Sequence, residues 1–185
     1  MWWHDHRSTI ARFAAALALT SLLGGCLEPL YGERGLSGGS GLRERMSSVQ
    51  ITPIKVPNGS LQARVAVEIQ NDLNFQLTGG SGRLGSTHTL KVDIATQNQQ
   101  VIVDITTARA DVQQFGINVS YTLVENATGK QVVNGQTFAR VAYDNPGQAQ
   151  RFANARGQRD AETRAARVIS DAIKSRLASY FAAGA

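Results

Sequence analysis

The chain has 185 residues, 42% of them hydrophobic and 6% aromatic, and 19 Lys and Arg against 14 Asp and Glu give a formal charge of +5. That length holds one compact domain with a core of its own. One cysteine excludes a disulfide framework. Few aromatics and abundant Gln, Asn and Thr point to polar, strand-rich surfaces rather than a large apolar pocket.

Arg7 and Arg12 precede an apolar, alanine-rich run from Phe13 to Leu23. The run is too short to span a bilayer and has the proportions of a secretory leader. It ends in Leu23-Gly24-Gly25-Cys26, the pattern of a bacterial lipobox. Small residues fit a peptidase channel, and the thiol is the nucleophile for thioether attachment of a diacylglycerol. The sequence therefore predicts a cleaved leader over residues 1–25 and an N-acyl diacylglycerol on Cys26, with no other cofactor. Cleavage leaves 160 residues and a charge of +4, because Arg7, Arg12 and Asp5 leave together. Leu27 rather than aspartate after the cysteine favours sorting to the outer membrane, on its periplasmic side. Export argues against nucleic acid as the anionic partner of this basic chain and favours phosphorylated lipid.

Residues 26–48 read as the lipidated cysteine followed by a flexible Gly/Ser-rich tether, and 49–182 as a single α+β domain. Val49 to Val56 predicts a first strand, with Pro53 placing it at an edge or kink. Asn58 or Ser60 can cap a helix carrying Leu61, Val65, Ile69 and Leu73 at four-residue spacing. Gly80-Ser81-Gly82-Arg83-Leu84-Gly85 is formally G-x-G-x-x-G, but a helix precedes it and a strand follows. That is the reverse of the dinucleotide-binding order.

His88, Leu90, Val92 and Ile94 alternate with polar residues, and Val101, Val103 and Ile105 continue the pattern after a bulge or turn at Gln97-Asn98. Phe115, Ile117, Val119, Tyr121 and Leu123 make the clearest strand. Asn126-Ala127-Thr128-Gly129 turns the chain into a last strand, where Ala139, Val141 and Tyr143 oppose Phe138, Arg140 and Ala142. Asn145 and Pro146 predict the start of a final helix. Its apolar face carries Ala161, Ala165, Val168, Ile169, Ala172, Ile173, Leu177 and Tyr180. The order β-α-β-β-β-α implies a two-layer sandwich, with two helices packed on one face of a mostly antiparallel four-stranded sheet. The opposite face is left polar and open.

Enzymatic chemistry finds no support: no Gly-x-Ser-x-Gly elbow, HExxH or P-loop occurs. His4 and His6 leave with the leader, and a lone His88 at a strand start reads as structural and makes no metal site. Asp93 and Asp104 are strand carboxylates facing water. Arg140, Arg109 and Lys91 are the basic side chains expected to project from the sheet, where guanidinium groups could take phosphate bidentately.

The lipobox followed by Leu27-Glu28-Pro29-Leu30-Tyr31-Gly32 resembles the LptE family of lipopolysaccharide-assembly lipoproteins in its alphaproteobacterial form. So does Arg140-Val141-Ala142-Tyr143-Asp144-Asn145-Pro146 leading into Gln158-Arg159-Asp160-Ala161. The resemblance implies a non-enzymatic role: plugging and helping to assemble the LptD β-barrel, and assisting lipopolysaccharide delivery to the outer leaflet. It also implies lipopolysaccharide binding through basic sheet residues, with Arg140 in the matching strand and Arg109 near an earlier strand edge. Thr137 stands where relatives carry a lysine. The alternative expectation is an envelope adaptor that binds another protein without touching lipid.

Overall fold

The computed structural model of the chain describes residues 41–79, 85–104, 109–145 and 150–183. The leader, the lipobox with Cys26, most of the expected tether and Gly80–Leu84 of the glycine-rich loop lie outside these residues. The elements are α1 (Leu42–Ser47), β1 (Val49–Ile51), α2 (Leu61–Thr78), β2 (His88–Asp104), β3 (Arg109–Glu125), β4 (Gln131–Asp144) and α3 (Arg151–Ala182). Four strands lie in sequence order in one sheet. β1 runs parallel to β2, and the two later pairings are antiparallel. A parallel pair needs a long crossover, which α2 supplies. The expected two-layer α+β architecture is the observed one, with a further short helix in front.

That helix corrects the tether. Residues 42–47 were expected to be flexible, yet they form α1, which buries Met46 and Ser47. The Arg45 guanidinium donates to the Phe181 carbonyl at 3.1 Å, fastening α1 to the end of α3. The first strand is also shorter than expected. Thr52 N–H still donates to the Leu90 carbonyl at 2.9 Å, but Pro53 has no N–H and the ladder stops there.

Ser60, not Asn58, caps α2: its hydroxyl accepts from Ala63 N–H at 3.2 Å. The helix ends at Gly79, whose φ of 63° is left-handed and whose N–H returns to the Phe75 carbonyl at 2.8 Å. β2 is one continuous strand through Gln97-Asn98. Its irregularity comes later, between Gln100 and Val103. The β3–β4 hairpin turns at Asn126–Gly129 as expected, closed by Gly129 N–H to the Glu125 carbonyl at 2.8 Å. The last helix is described from Arg151 to Ala182, and its expected start at Pro146 lies outside the described residues.

The core lies between the sheet and the helices. Phe115, Ile117, Val119, Tyr121 and Leu123 of β3 meet Val65, Ile69, Leu73 and Leu77 of α2 and Ala161, Ala165, Ile169, Ile173 and Leu177 of α3, all buried. α3 lies chiefly across β4, while α2 sits beside α3 toward β1 and β2. Val168, expected on the apolar face, is exposed, and Glu162 and Ser170 are buried instead. Glu162, Ala166, Ser170 and Ile173 form a second buried stripe on the flank facing α2, which a single-face reading of α3 does not foresee. At Gly135 the sheet needs a missing side chain. A Cβ there would stand 2.5 Å from the Tyr121 hydroxyl and 2.7 Å from its ring carbon. The tyrosine opposite in register fills the place that any larger residue would take.

Candidate functional site

The free face of the sheet is the candidate site. Side chains opposite each other in an antiparallel ladder share a face, and alternate residues return to it. The pairing therefore builds successive rows across β2, β3 and β4: Lys91–Thr122–Asn134, Asp93–Ser120–Gln136, Ala95–Asn118–Phe138, Gln97–Gly116–Arg140 and Gln99–Gln114–Ala142. Among the described residues no helix covers these rows. From Gln97 to Val101, β2 is exposed on both faces, so the β2–β3 hairpin also runs beyond the helical layer.

Within this face a shallow concavity of 360 Å³ is lined by Asp93, Ala95, Asn118, Ser120, Gln136 and Phe138, together with the intervening Ile94, Val119 and Thr137. Phe138 is 61% exposed at its rim. The Arg140 guanidinium lies over the Phe138 ring, 4.8 Å from its centroid. A stacked guanidinium keeps its donor edge free for an anion while the ring limits its rotamers. Phe138 was not among the expected site residues, although its spacing of two from Arg140 already put it on the same face.

The three basic residues named from the sequence do not converge. Lys91 is exposed on the free face but six positions along the ladder from the Arg140 row, about 20 Å at strand rise. Arg109 opens β3 opposite Asp104, seven positions beyond Gly116 and so roughly 23 Å from the Arg140 row. The side chain of Arg109 lies outside the described residues. Asp93 and Asp104 stand eleven positions apart on β2, about 36 Å, and cannot share a proton.

Of the stretches that carried the family resemblance, the end of β4 and the start of α3 meet at one place, and it is a clasp. The end of β4 and the first turns of α3 enclose a cleft of 580 Å³ lined by Tyr143, Asp144, Gly157, Asp160 and Arg164. Arg164 pairs with Asp160 at 2.7 Å and donates to the Ala142 carbonyl at 3.4 Å. A Cβ on Gly157 would come within 3.3 Å of the Asp144 carbonyl, so this glycine sets how closely the helix approaches the strand. Tyr143 donates to Gln113 Oε1 at 2.6 Å. Burial, and then the nearby Glu162 carboxylate, push its phenol above the usual range.

His88 is structural. Its ring meets Phe181 edge-on at 5.2 Å and Tyr180 at 6.5 Å, and Nδ1 lies 2.8 Å from the Thr87 hydroxyl. Desolvation lowers its pKa below 6.5, against the opposing pull of Glu125 across the ladder. The folded state thus favours neutral imidazole. Its contribution to stability is full above the unfolded pKa and declines as pH falls through 6.5 toward the folded value. Urea unfolding between pH 7.5 and 5 is expected to show this loss, and His88→Phe to flatten that part of the profile. An unchanged profile in the variant would assign the dependence elsewhere.

Among the described residues no three His, Cys, Asp or Glu side chains are placed to hold a metal, and no helix is long and apolar enough to cross a membrane. The described residues form a small α+β domain with one polar sheet face uncovered among them and a stacked arginine upon it.

The chain belongs to the LptE family, described as lipopolysaccharide-assembly, whose family model matches residues 46–177. That family is a non-enzymatic component of lipopolysaccharide assembly. The fold is shared with a candidate lipoprotein from Caulobacter crescentus CB15, at 20% identity and a TM-score of 0.60, over 78% of this chain and 97% of that one. Rare lipoprotein B from Shewanella oneidensis matches at 12% identity and a TM-score of 0.49, over 71% and 93%. A minor lipoprotein from Acinetobacter baumannii matches at 13% and 0.47, over 70% and 94%. No curated protein matches the chain in sequence.

Proposed function

We propose that this protein is the lipid-anchored partner of the outer-membrane barrel LptD, seated in its lumen, and that it contacts lipopolysaccharide through the free sheet face. The observation that carries the reading is that face itself. Asn118, Ser120, Gln97 and Gln136 present a hydrated surface suited to the polar interior of a large barrel. Cleavage before Cys26 and its acylation would hold the domain on the periplasmic side of the outer membrane, with residues 27–40 spanning from lipid to domain. Arg140, steadied by Phe138, is the first contact for a lipid A phosphate, Lys91 adds a second cation farther along the same face, and Arg109 keeps the contribution expected of it from the sequence. Cations here would compete with the divalent ions that bridge such phosphates.

Affinity purification of the full chain from detergent-solubilised outer membranes is expected to retain LptD. Labelled lipopolysaccharide should bind the purified chain, and Arg140→Ala with Arg109→Ala should weaken that binding by roughly tenfold or more, since a hydrogen bond to a charged group contributes about 1.5–3 kcal/mol. Retention of the barrel with unchanged lipid binding in the double variant would overturn the lipid contact and leave an adaptor. Failure to retain the barrel would overturn the seating.

A further inference from the structure

The outward side of α3 carries charge that the sheet-face reading leaves unused. Phe152, Arg156, Arg159, Thr163 and Arg167 recur at spacings of four and three, so they stand in one stripe about 22 Å long, and all are exposed. The acidic residues of the helix do not offset it. Asp160 is held by Arg164, Glu162 is buried against Arg64, and Asp171 accepts from Gln76 at 2.8 Å. Arg156, Arg159 and Arg167 make no ion pair among the described residues. At the head of the stripe Phe152 is 88% exposed, the most exposed large apolar side chain among those described.

We propose that this face of α3 docks on an anionic phospholipid surface. Three unpaired guanidinium groups in line complement the phosphates of a headgroup layer. A bare phenyl ring among them suits a contact that can take the ring into the boundary between headgroups and acyl chains. An acidic protein surface would satisfy the arginines but gives the phenyl no comparable place. The helical layer lies on the side of the sheet opposite the free face, so this docking turns Asn118, Ser120 and Arg140 away from the lipid and keeps them accessible. This is the contact the domain makes before it is seated in the barrel, and it does not rest on the barrel partner or on the anchor.

Trp2 and Trp3 are the only tryptophans in the chain, which permits a local optical test. The full chain would carry Trp2→Phe, Trp3→Phe, Cys26→Ser and Phe152→Trp, so that neither acylation nor other indoles contribute. With vesicles of phosphatidylcholine and phosphatidylglycerol, indole emission is expected to move to shorter wavelength, with a smaller shift at high salt. Pure phosphatidylcholine vesicles should leave it unmoved. Adding Arg156→Gln, Arg159→Gln and Arg167→Gln should abolish the shift while the far-UV circular dichroism stays that of the parent. Equal emission on both vesicles, or a shift that survives the triple change, would overturn the proposal. So would a shift that appears only when outer-membrane protein is added.

Discussion

Phe115→Ala is expected to remove about 3–5 kcal/mol of stability, the transfer term plus the cavity left behind. Phe115 lies in a strand paired on both sides and is 0% exposed. A domain of this size has about 5–15 kcal/mol in total, so the loss should show as a large drop in the urea midpoint. The control lies on the same strand. Ser120→Ala, five residues away on the free face, should stay within about 0.5 kcal/mol, as exposed substitutions do. The contrast measures the sidedness of the sheet directly. Similar losses from the two variants would mean that the free face is not free in solution.

That sidedness was legible in the sequence because strand periodicity is strict. Phe115 to Leu123 alternates without a break, and Lys91 and Arg140 fall on the polar side by parity alone. α2 was equally legible, from Leu61, Val65, Ile69 and Leu73. The misreadings share a physical cause: each depends on a neighbour distant in sequence. α1 is six residues long in a Gly/Ser-rich neighbourhood, and a helix so short has little intrinsic stability. It forms because Met46 enters the core and Arg45 reaches the end of α3. Val168 looked apolar-facing because only one buried side was assigned to α3. Packing of α2 alongside adds a second, and the exposed side rotates accordingly. Lys91 and Arg140 fall on one face by parity, but how far apart they stand, and how far each stands from Arg109, did not follow from spacing alone. Distance along a sheet depends on register, and the shifts between Gln100 and Val103 leave no pattern in residue type.

The contact between α2 and α3 yields the other large expected effect. Arg64 grips Glu162 with two hydrogen bonds, Nε to Oε2 at 3.3 Å and Nη2 to Oε1 at 3.1 Å. The carboxylate side chain is 7% exposed, whereas the arginine is 55% exposed. The two ends are therefore not equivalent. Arg64→Ala leaves a buried carboxylate without its partner, a change that costs about 3–5 kcal/mol in a fully buried pair. The open side of Arg64 lets water reach part of the vacated site, so the expected loss is about 2–3 kcal/mol, at or below the lower end of that range. Glu162→Gln keeps an acceptor and removes the buried charge, leaving an arginine that can turn to solvent, and should cost less than Arg64→Ala. The double change Arg64→Met with Glu162→Met should recover most of the loss, because apolar groups of similar volume can replace a buried ion pair at little cost. Urea unfolding of the parent, Arg64→Met, Glu162→Met and their double variant, read as a double-mutant cycle, distinguishes this from simple packing. If Glu162→Gln proved as damaging as Arg64→Ala, the bond would owe its worth to the charge of the carboxylate rather than to the penalty of leaving it alone. If both were silent, the two helices would be held by Ile69, Leu73, Ile169 and Ile173 with no contribution from the pair.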